Sequence, residues 1–186
     1  MNKINVRNIH PQLKISRKSI RLLVENILKS EKVDSGVDVI LVDDKFMTPL
    51  NRKFTNRNKT TDVLSFGMKE NQRSAVEYPS LGDIYVSLDQ AKRQAEEYQV
   101  KFEEEVRLLV VHGLLHLLGY DHRGKIEENR MRKKEKMYLK TSPPFVPPLP
   151  RLWRDFQLAK ERGSPCPSVL RPQGRRKGIH PEGDRG

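Results

Sequence analysis

A chain of 186 residues can bury one sizeable hydrophobic core, and its length favours a single domain over two. Its 36 Lys and Arg against 24 Asp and Glu leave a formal net charge of +12, which favours a polyanionic partner such as RNA, DNA or an anionic surface. The single cysteine, Cys166, excludes an intrachain disulfide. No apolar run approaches the ~20 residues that span a bilayer. We therefore expect a cytoplasmic protein without a membrane segment or signal peptide.

Strand-like and helix-like stretches alternate in the first half of the sequence. Two stretches have apolar residues at helical spacing, SRKSIRLLVENILKSE and KFMTPLNRKF, and the second tolerates Pro49 only near its first turn. The polar stretch GMKENQRSAVEYPS predicts a surface loop. Strands are predicted where residues are β-branched or alternate between apolar and polar, namely in INVRN, VDVILVDD (37–44), DVLSF and LGDIYVSL.

From Asp89 onward the sequence is rich in helix-forming residues. One or two helices are predicted up to Gly119. The stretch KIEENRMRKKEKMYLK predicts a further helix, whose apolar residues are too sparse for deep burial. The apolar stripe predicted before Gly119 consists of Phe102, Val106, Leu109, Gly113 and Leu117.

Residues 141–186 lose this periodicity and contain nine of the twelve prolines. This composition predicts a Pro-rich, disordered tail that follows a folded domain of residues 1–140. The tail has nine Lys and Arg against four Asp and Glu, a surplus of five, so residues 1–140 carry the other seven positive charges. Both parts of the chain are therefore basic.

Three of the five histidines lie within the stretch HGLLHLLGYDH (112–122). On a helix, His112 and His116 stand about 40° apart around the axis and one turn apart along it, so both imidazoles can bind one metal ion. Gly119 is the residue type that ends helices, which allows His122 to turn back toward the same ion. Three histidines favour zinc, although nickel, copper or iron fit the same ligands. One coordination place stays open, which predicts a catalytic ion with a bound water acidified toward neutral pH.

The same stretch fits the metzincin protease pattern H-E-x-x-H-x-x-G-x-x-H at every position except the second. Gly113 stands where those proteases have the glutamate that acts as general base. A metallopeptidase would have to take its base from elsewhere, so this enzyme class is disfavoured.

The stretch HGLLHLLGYDH also resembles the signature H-G-x-L-H-L-x-G-Y-D-H of the YbeY family of metal-dependent endoribonucleases. Two further stretches resemble motifs of that family and occur in the same order. TTDVLSF (60–66) is similar to P-T-D-V-L-S-F, and LGDIYVS (81–87) is similar to L-G-D-I-x-I-S. The resemblance covers about residues 1–140.

The resemblance implies a single α+β domain in which a small mixed β-sheet packs with helices. It implies a metzincin-like site at a helix end, with one zinc ion bound by His112, His116 and His122. The implied activity is zinc-dependent endonuclease cleavage of single-stranded RNA in ribosomal RNA maturation, notably at the small-subunit RNA 3′ end, and in ribosome quality control. RNA and the ribosome are the implied partners.

The chain departs from the family pattern before the TDVLSF stretch. The family has an arginine at the position of Thr55 and a proline at the position of Thr60. Asp121 is a candidate hydrogen-bond partner of a ligand histidine, and a role in a turn is equally compatible with its position. A cation for the RNA phosphate, or an ordinary solvated charge cluster, is predicted at Arg52, Arg57 and Lys59.

A non-enzymatic alternative follows from Thr55. Without the family arginine, the chain fits a zinc-stabilised RNA-binding or ribosome-assembly module with little or no catalysis. This alternative predicts that replacing His116 disturbs folding and abolishes no cleavage. The nuclease hypothesis predicts lost cleavage with RNA binding mostly kept.

Overall fold

The sheet is built from the four strands of the described residues, which are 3–56, 58–68, 79–121 and 124–140 of a computed structural model. The strands are β1 (Ile4–Asn8), β2 (Gly36–Val42), β3 (Val63–Gly67) and β4 (Ser80–Ser87). Their order is β1-β2-β4-β3, with β1, β2 and β4 parallel and β3 antiparallel to β4. The mixed sheet and all four predicted strands are thereby confirmed.

Five helices occur in the same ranges: α1 (Arg17–Ser30), α2 (Asp44–Thr55), α3 (Leu88–Tyr98), α4 (Phe102–Leu117) and α5 (Lys125–Lys140). The stretch from Asp89 to Gly119 thus forms two helices, which separate where Gln99 adopts a left-handed conformation. Side-chain oxygens of Ser16, Asp43 and Ser87 accept hydrogen bonds from the first turns of α1, α2 and α3. The predicted α+β class is confirmed.

The main core lies between α1, α4 and one face of the sheet. Side chains of Val39, Ile84, Ile27 and Leu109 are fully buried there. α4 is the central helix, and twelve of its sixteen residues are buried, because the sheet, α1, α3 and α5 pack around it. The opposite face carries a smaller cluster with α2, formed by Ile40, Val42, Met47 and Leu64.

Pro49 lies in the second turn of α2, although the sequence predicts it near the first. The helix begins at Asp44 because Asp43 accepts a hydrogen bond from the backbone N–H of Phe46 at 2.9 Å. Proline leaves the carbonyl of Lys45 without a helical donor. Pro49 and Lys45 are both exposed, so solvent can hydrogen-bond to this carbonyl and the helix continues.

α5 buries four of its sixteen residues along one face, which agrees with the expectation that its apolar residues are too sparse for deep burial. Two of the apolar residues that suggested shallow packing, Ile126 and Met137, are exposed. The buried residues recur at helical spacing and include polar ones, which the apolar pattern alone does not show. They are Met131, Glu135, Tyr138 and Leu139.

Some predicted features fall outside the described residues. The tail 141–186 does, and so do residues 69–78 of the predicted loop. Within the described ranges, no helix has the length and apolar character needed to cross a membrane.

Candidate metal centre

The last two turns of α4 bring His112 and His116 together. Their Nε2 atoms are 3.1 Å apart, and their rings lie at 82° to each other with centroids 4.6 Å apart. The helix ends at Leu117, and Gly119 follows with φ of 93°, a left-handed conformation that suits glycine. The spacing argument for the pair and the helix stop at Gly119 therefore agree with the structure.

Both rings are oriented through their other nitrogen. Nδ1 of His112 lies 2.8 Å from Oε1 of Glu135 on α5. Nδ1–H of His116 donates to the backbone carbonyl of Tyr120 at 3.1 Å. A carbonyl and an ionised carboxylate only accept hydrogen bonds, so each neutral imidazole carries its proton on Nδ1. Both Nε2 lone pairs then point toward each other.

This donor set fits a metal ion. Two unprotonated nitrogens 3.1 Å apart repel each other unless a shared proton or a metal cation lies between them. The separation is somewhat shorter than the ~3.4 Å expected of two nitrogens that bind one zinc ion tetrahedrally at ~2.1 Å. Proton donation from Nδ1 to a carboxylate or carbonyl is also the usual environment of metal-binding histidines.

The electrostatics of His112 are set by two carboxylates. Burial disfavours the imidazolium form, but the hydrogen bond to Glu135 and the charges of Glu135 and Asp62 outweigh it. The pKa of His112 is therefore raised from its ordinary value. The same negative environment attracts a metal cation to the pair.

The third expected ligand, His122, lies outside the described residues. In the ranges that the structure covers, no group of three or more His, Cys, Asp and Glu side chains is placed to bind a metal. Asp121 is described and half-buried, and its role beside a ligand histidine stays a prediction. The ring partners seen for the other two histidines are Glu135 and Tyr120.

Gly113 packs against the sheet directly behind the histidine pair. A Cβ at this position would lie 2.8 Å from Cγ2 of Ile84 and 2.9 Å from Oγ of Ser65. Ser65 also donates a hydrogen bond to the Gly113 carbonyl at 3.1 Å. A glutamate at position 113 would require α4 to move away from the sheet, so the metzincin base has no space here.

The last turn of α2 and the segment after it carry the predicted phosphate contacts. Arg52 and Lys59 are both exposed, and Arg57 lies outside the described residues. The Thr55 hydroxyl lies 2.8 Å from both the backbone oxygen and Oδ1 of Asn51. Thr55 therefore stabilises the end of α2 and offers no cation.

Hydrogen bonds anchor this segment to α2. Nδ2 of Asn51 donates to the Lys59 carbonyl at 2.7 Å, and the Thr60 hydroxyl donates to Oδ1 of Asp44 at 2.9 Å. A proline at position 60 could not donate this bond. The segment then reaches Asp62, whose charge acts on His112.

Sequence reasoning missed Glu135 and Asp62. The available signal for Glu135 was a carboxylate among buried positions at helical spacing, between Met131 and Leu139. Asp62 belongs to the TDVLSF stretch, which patterning describes only as a core strand. Oδ1 of Asp62 accepts a hydrogen bond from the backbone N–H of Val63 at 2.9 Å, and Oδ2 accepts one from the side-chain amide of Gln94 at 3.2 Å.

Fold and site together define a class of proteins, the small α+β domains that present a histidine pair at the end of a central helix. A family model described as "Endoribonuclease YbeY" matches residues 5–142. The chain therefore belongs to the endoribonuclease YbeY family.

Relatives described by the same name support this assignment. The protein from Pelotomaculum thermopropionicum is 43% identical over 119 residues, which are 62% of this chain and 78% of the relative. The protein from Desulforamulus reducens is 40% identical over 139 residues, which are 70% of this chain and 90% of the relative. A solution structure of a Thermotoga maritima protein aligns with a TM-score of 0.54 at 28% identity, covering 86% of this chain and 95% of that one.

Proposed function

We propose that this protein is a zinc-dependent endoribonuclease that cleaves single-stranded RNA in ribosomal RNA maturation, notably at the small-subunit RNA 3′ end, and in ribosome quality control. The observation that carries the proposal is the convergence of the two Nε2 atoms, each with its Nδ1 facing an acceptor oxygen. Membership of the endoribonuclease family supports the reaction class. The basic charge supports RNA and the ribosome as partners. The single cysteine, which can form no intrachain disulfide, supports a place in the cytoplasm.

The proposed ligands of the ion are His112, His116 and His122. Glu135 and the Tyr120 carbonyl orient the first two rings and keep each proton on Nδ1. When bound, zinc supplies Lewis acidity next to a scissile phosphodiester. The proposal assigns no protein base, because Gly113 occupies the position at which a metzincin carries one.

The RNA backbone is proposed to approach over the last turn of α2 and the segment after it. Exposed cations there can contact the phosphates flanking the cleaved bond without entering the histidine site. Asp44 and Asn51 anchor Thr60 and the Lys59 carbonyl to α2, so Lys59 is presented from a fixed backbone. The proposed contacts are Arg52, Arg57 and Lys59.

A cleavage assay tests the proposal. A labelled single-stranded RNA is incubated with the zinc-loaded protein, the chelated protein and the His116→Ala variant. His180→Ala is the matched control, because it removes another histidine outside the HGLLHLLGYDH stretch. We expect cleavage that needs zinc and His116 and is unchanged in the control. Equal cleavage by the chelated protein would contradict the proposal.

The zinc-stabilised RNA-binding module remains a second candidate because Thr55 hydrogen-bonds to Asn51 and supplies no cation. The same assay separates the two. A folded, zinc-containing protein that binds the RNA and leaves it uncut would favour the binding module.

A further inference from the structure

Two separate segments orient the histidine pair. Tyr120 in the turn after α4 orients His116, and Glu135 on α5 orients His112. A shift of either segment would remove one of the two acceptor oxygens. The geometry of the pair therefore requires both segments to be fixed relative to α4 at the same time.

One carboxylate contacts both segments. Glu31 directly follows α1, and its backbone N–H donates to the carbonyl of Ile27. Oε2 of Glu31 accepts the hydroxyl of Tyr120 at 3.0 Å. Oε1 accepts a hydrogen bond from Nζ of Lys134 at 2.7 Å and another from the hydroxyl of Tyr138.

The residues around Glu31 are close neighbours of the groups that orient the pair. Tyr120 contacts Glu31 through its hydroxyl and His116 through its carbonyl. Lys134 directly precedes Glu135 on α5. The ammonium of Lys134 also lies 5.9 Å from the ring centroid of Tyr120 and 5.7 Å from that of Tyr138. The cluster thus joins α1, the Tyr120 turn and α5.

The cluster can hold these three elements together because its charged groups are partly shielded from water. The side chain of Glu31 is 14% exposed and that of Lys134 is 32% exposed. Hydrogen bonds to an ionised group are stronger than neutral ones, and partial burial reduces their screening by solvent. The Glu25–Lys29 pair on α1 is a useful contrast, because its side chains are 37% and 68% exposed and it contacts neither histidine segment.

We propose that Glu31 is a positioning residue for the histidine pair: its carboxylate fixes the Tyr120 turn and α5 so that their acceptor oxygens reach His116 and His112 together. The inference deepens the proposed function and rests on the same metal site. Glu31 itself contacts neither substrate nor metal in this proposal, and acts through Tyr120 and Glu135.

The first test determines which ring nitrogens of His112 and His116 carry a proton in the full-length, metal-free protein. Long-range ¹H–¹⁵N NMR spectra distinguish protons on Nδ1 from protons on Nε2 for each neutral histidine. We expect Nδ1 of both His112 and His116 to carry a proton in the wild type, with any further proton shared between their Nε2 atoms. We expect partial loss of the Nδ1 protons in Glu31→Ala, and the wild-type pattern in Glu25→Gln. Wild-type tautomers in Glu31→Ala would overturn the proposal, whatever the behaviour of the metal.

Two milder variants keep the test decisive if Glu31→Ala unfolds. Glu31→Gln retains an oxygen that can accept a tyrosine hydroxyl, so we expect partial rescue of the tautomers. Tyr120→Phe removes only the hydroxyl that contacts Glu31, so we expect a change at His116 and little change at His112. An unaltered His116 in both variants would overturn the proposal.

Zinc affinity provides the second readout. Competition with a chromogenic chelator is expected to show zinc binding about 10-fold weaker in Glu31→Ala and within about twofold of wild type in Glu25→Gln. Wild-type zinc affinity with a lowered unfolding midpoint would show a purely structural role and overturn the proposal. If the wild type binds no zinc at these histidines, the proposed function fails, and the tautomer comparison still decides the role of Glu31.

Discussion

Gly113 shows how one small side chain determines the distance between α4 and the sheet. Ile84 and Ser65 occupy the space where any other residue would place its Cβ. The helix can therefore approach β3 and β4 closely while His112 and His116 emerge beside this contact. Gly113 makes this close packing possible, and it also stands at the position where metzincin proteases carry their glutamate base.

Gly113→Ala is expected to destabilise the fold by about 1–3 kcal/mol. The overpacking outweighs the ~1 kcal/mol that alanine gains over glycine inside a helix. Gly124→Ala is the control, because nothing lies within 4 Å of a Cβ at that position. Urea unfolding should show the control within about 0.5 kcal/mol of wild type. Equal stability of the two variants would contradict the close contact at Gly113.

Glu135→Gln is expected to weaken zinc binding by about 10-fold or more, because His112 loses its charged hydrogen-bond acceptor. The control, Glu128→Gln, removes a carboxylate on the same helix that pairs with Arg132 at 2.9 Å. Chelator competition measures both affinities. Similar values for the two variants would mean that Glu135 does not support the site.

These residues also show what a sequence can and cannot reveal about a site. His112 and His116 lie on one helix, so local geometry predicts their meeting. Glu135 is 23 residues from His112 and on a different helix. Its contact depends on how α5 packs against α4, and no short-range pattern encodes that packing.

Among the elements, α1, the Tyr120 turn and α5 are joined by Glu31. Burial would raise the pKa of Glu31, but hydrogen bonds from Lys134, Tyr138 and Tyr120 outweigh it and lower the pKa from 4.5. The folded chain therefore binds this proton less readily than the unfolded chain. The resulting stabilisation is present above pH 4.5 and is lost as the pH falls through the folded pKa.

Glu31→Gln should consequently be less stable than wild type at neutral pH, by about 1–3 kcal/mol. The difference should shrink as the pH falls below 4.5 and the wild-type carboxylate takes up its proton. Urea unfolding over a pH series measures it. Glu25→Gln, with its exposed ion pair, should differ little from wild type throughout. A stability difference between Glu31→Gln and wild type that does not change with pH would contradict the assigned role of the charge.

Element prediction succeeded where periodicity was strong and was incomplete where polar contacts decide burial. The β-branched stretch of β2 and the apolar face of α1 are read directly from their spacing. The sparse apolar residues of α5 correctly predict shallow burial, but they do not identify Glu135 and Tyr138 as part of its buried face, because the burial of these residues depends on partners from other elements. Pro49 was misplaced because the capping by Asp43 sets the start of α2 one turn earlier.

At the scale of the whole molecule, the described hydrophobic core lies between Ile4 and Leu139. The family match likewise covers residues 5–142. Residues 141–186 add a surplus of five positive charges to the seven of residues 1–140. Stability is therefore expected to depend on the first part of the chain, and RNA affinity on both.

A chain shortened to residues 1–140 should retain the unfolding free energy of the full chain within about 0.5 kcal/mol. It should bind RNA more weakly and with a shallower dependence on salt, because fewer cations neutralise phosphates. Urea unfolding and RNA titrations at several salt concentrations measure both effects. A large loss of stability would show that the tail belongs to the fold.

The most direct test of the central claim is the zinc content of the protein measured by native mass spectrometry. The histidine pair at the end of α4 should retain one zinc ion per chain in the wild type and in His180→Ala, and none in His116→Ala. Folding of each variant is checked by circular dichroism. A folded His116→Ala variant that still carries its zinc would contradict the assignment of the metal to this site.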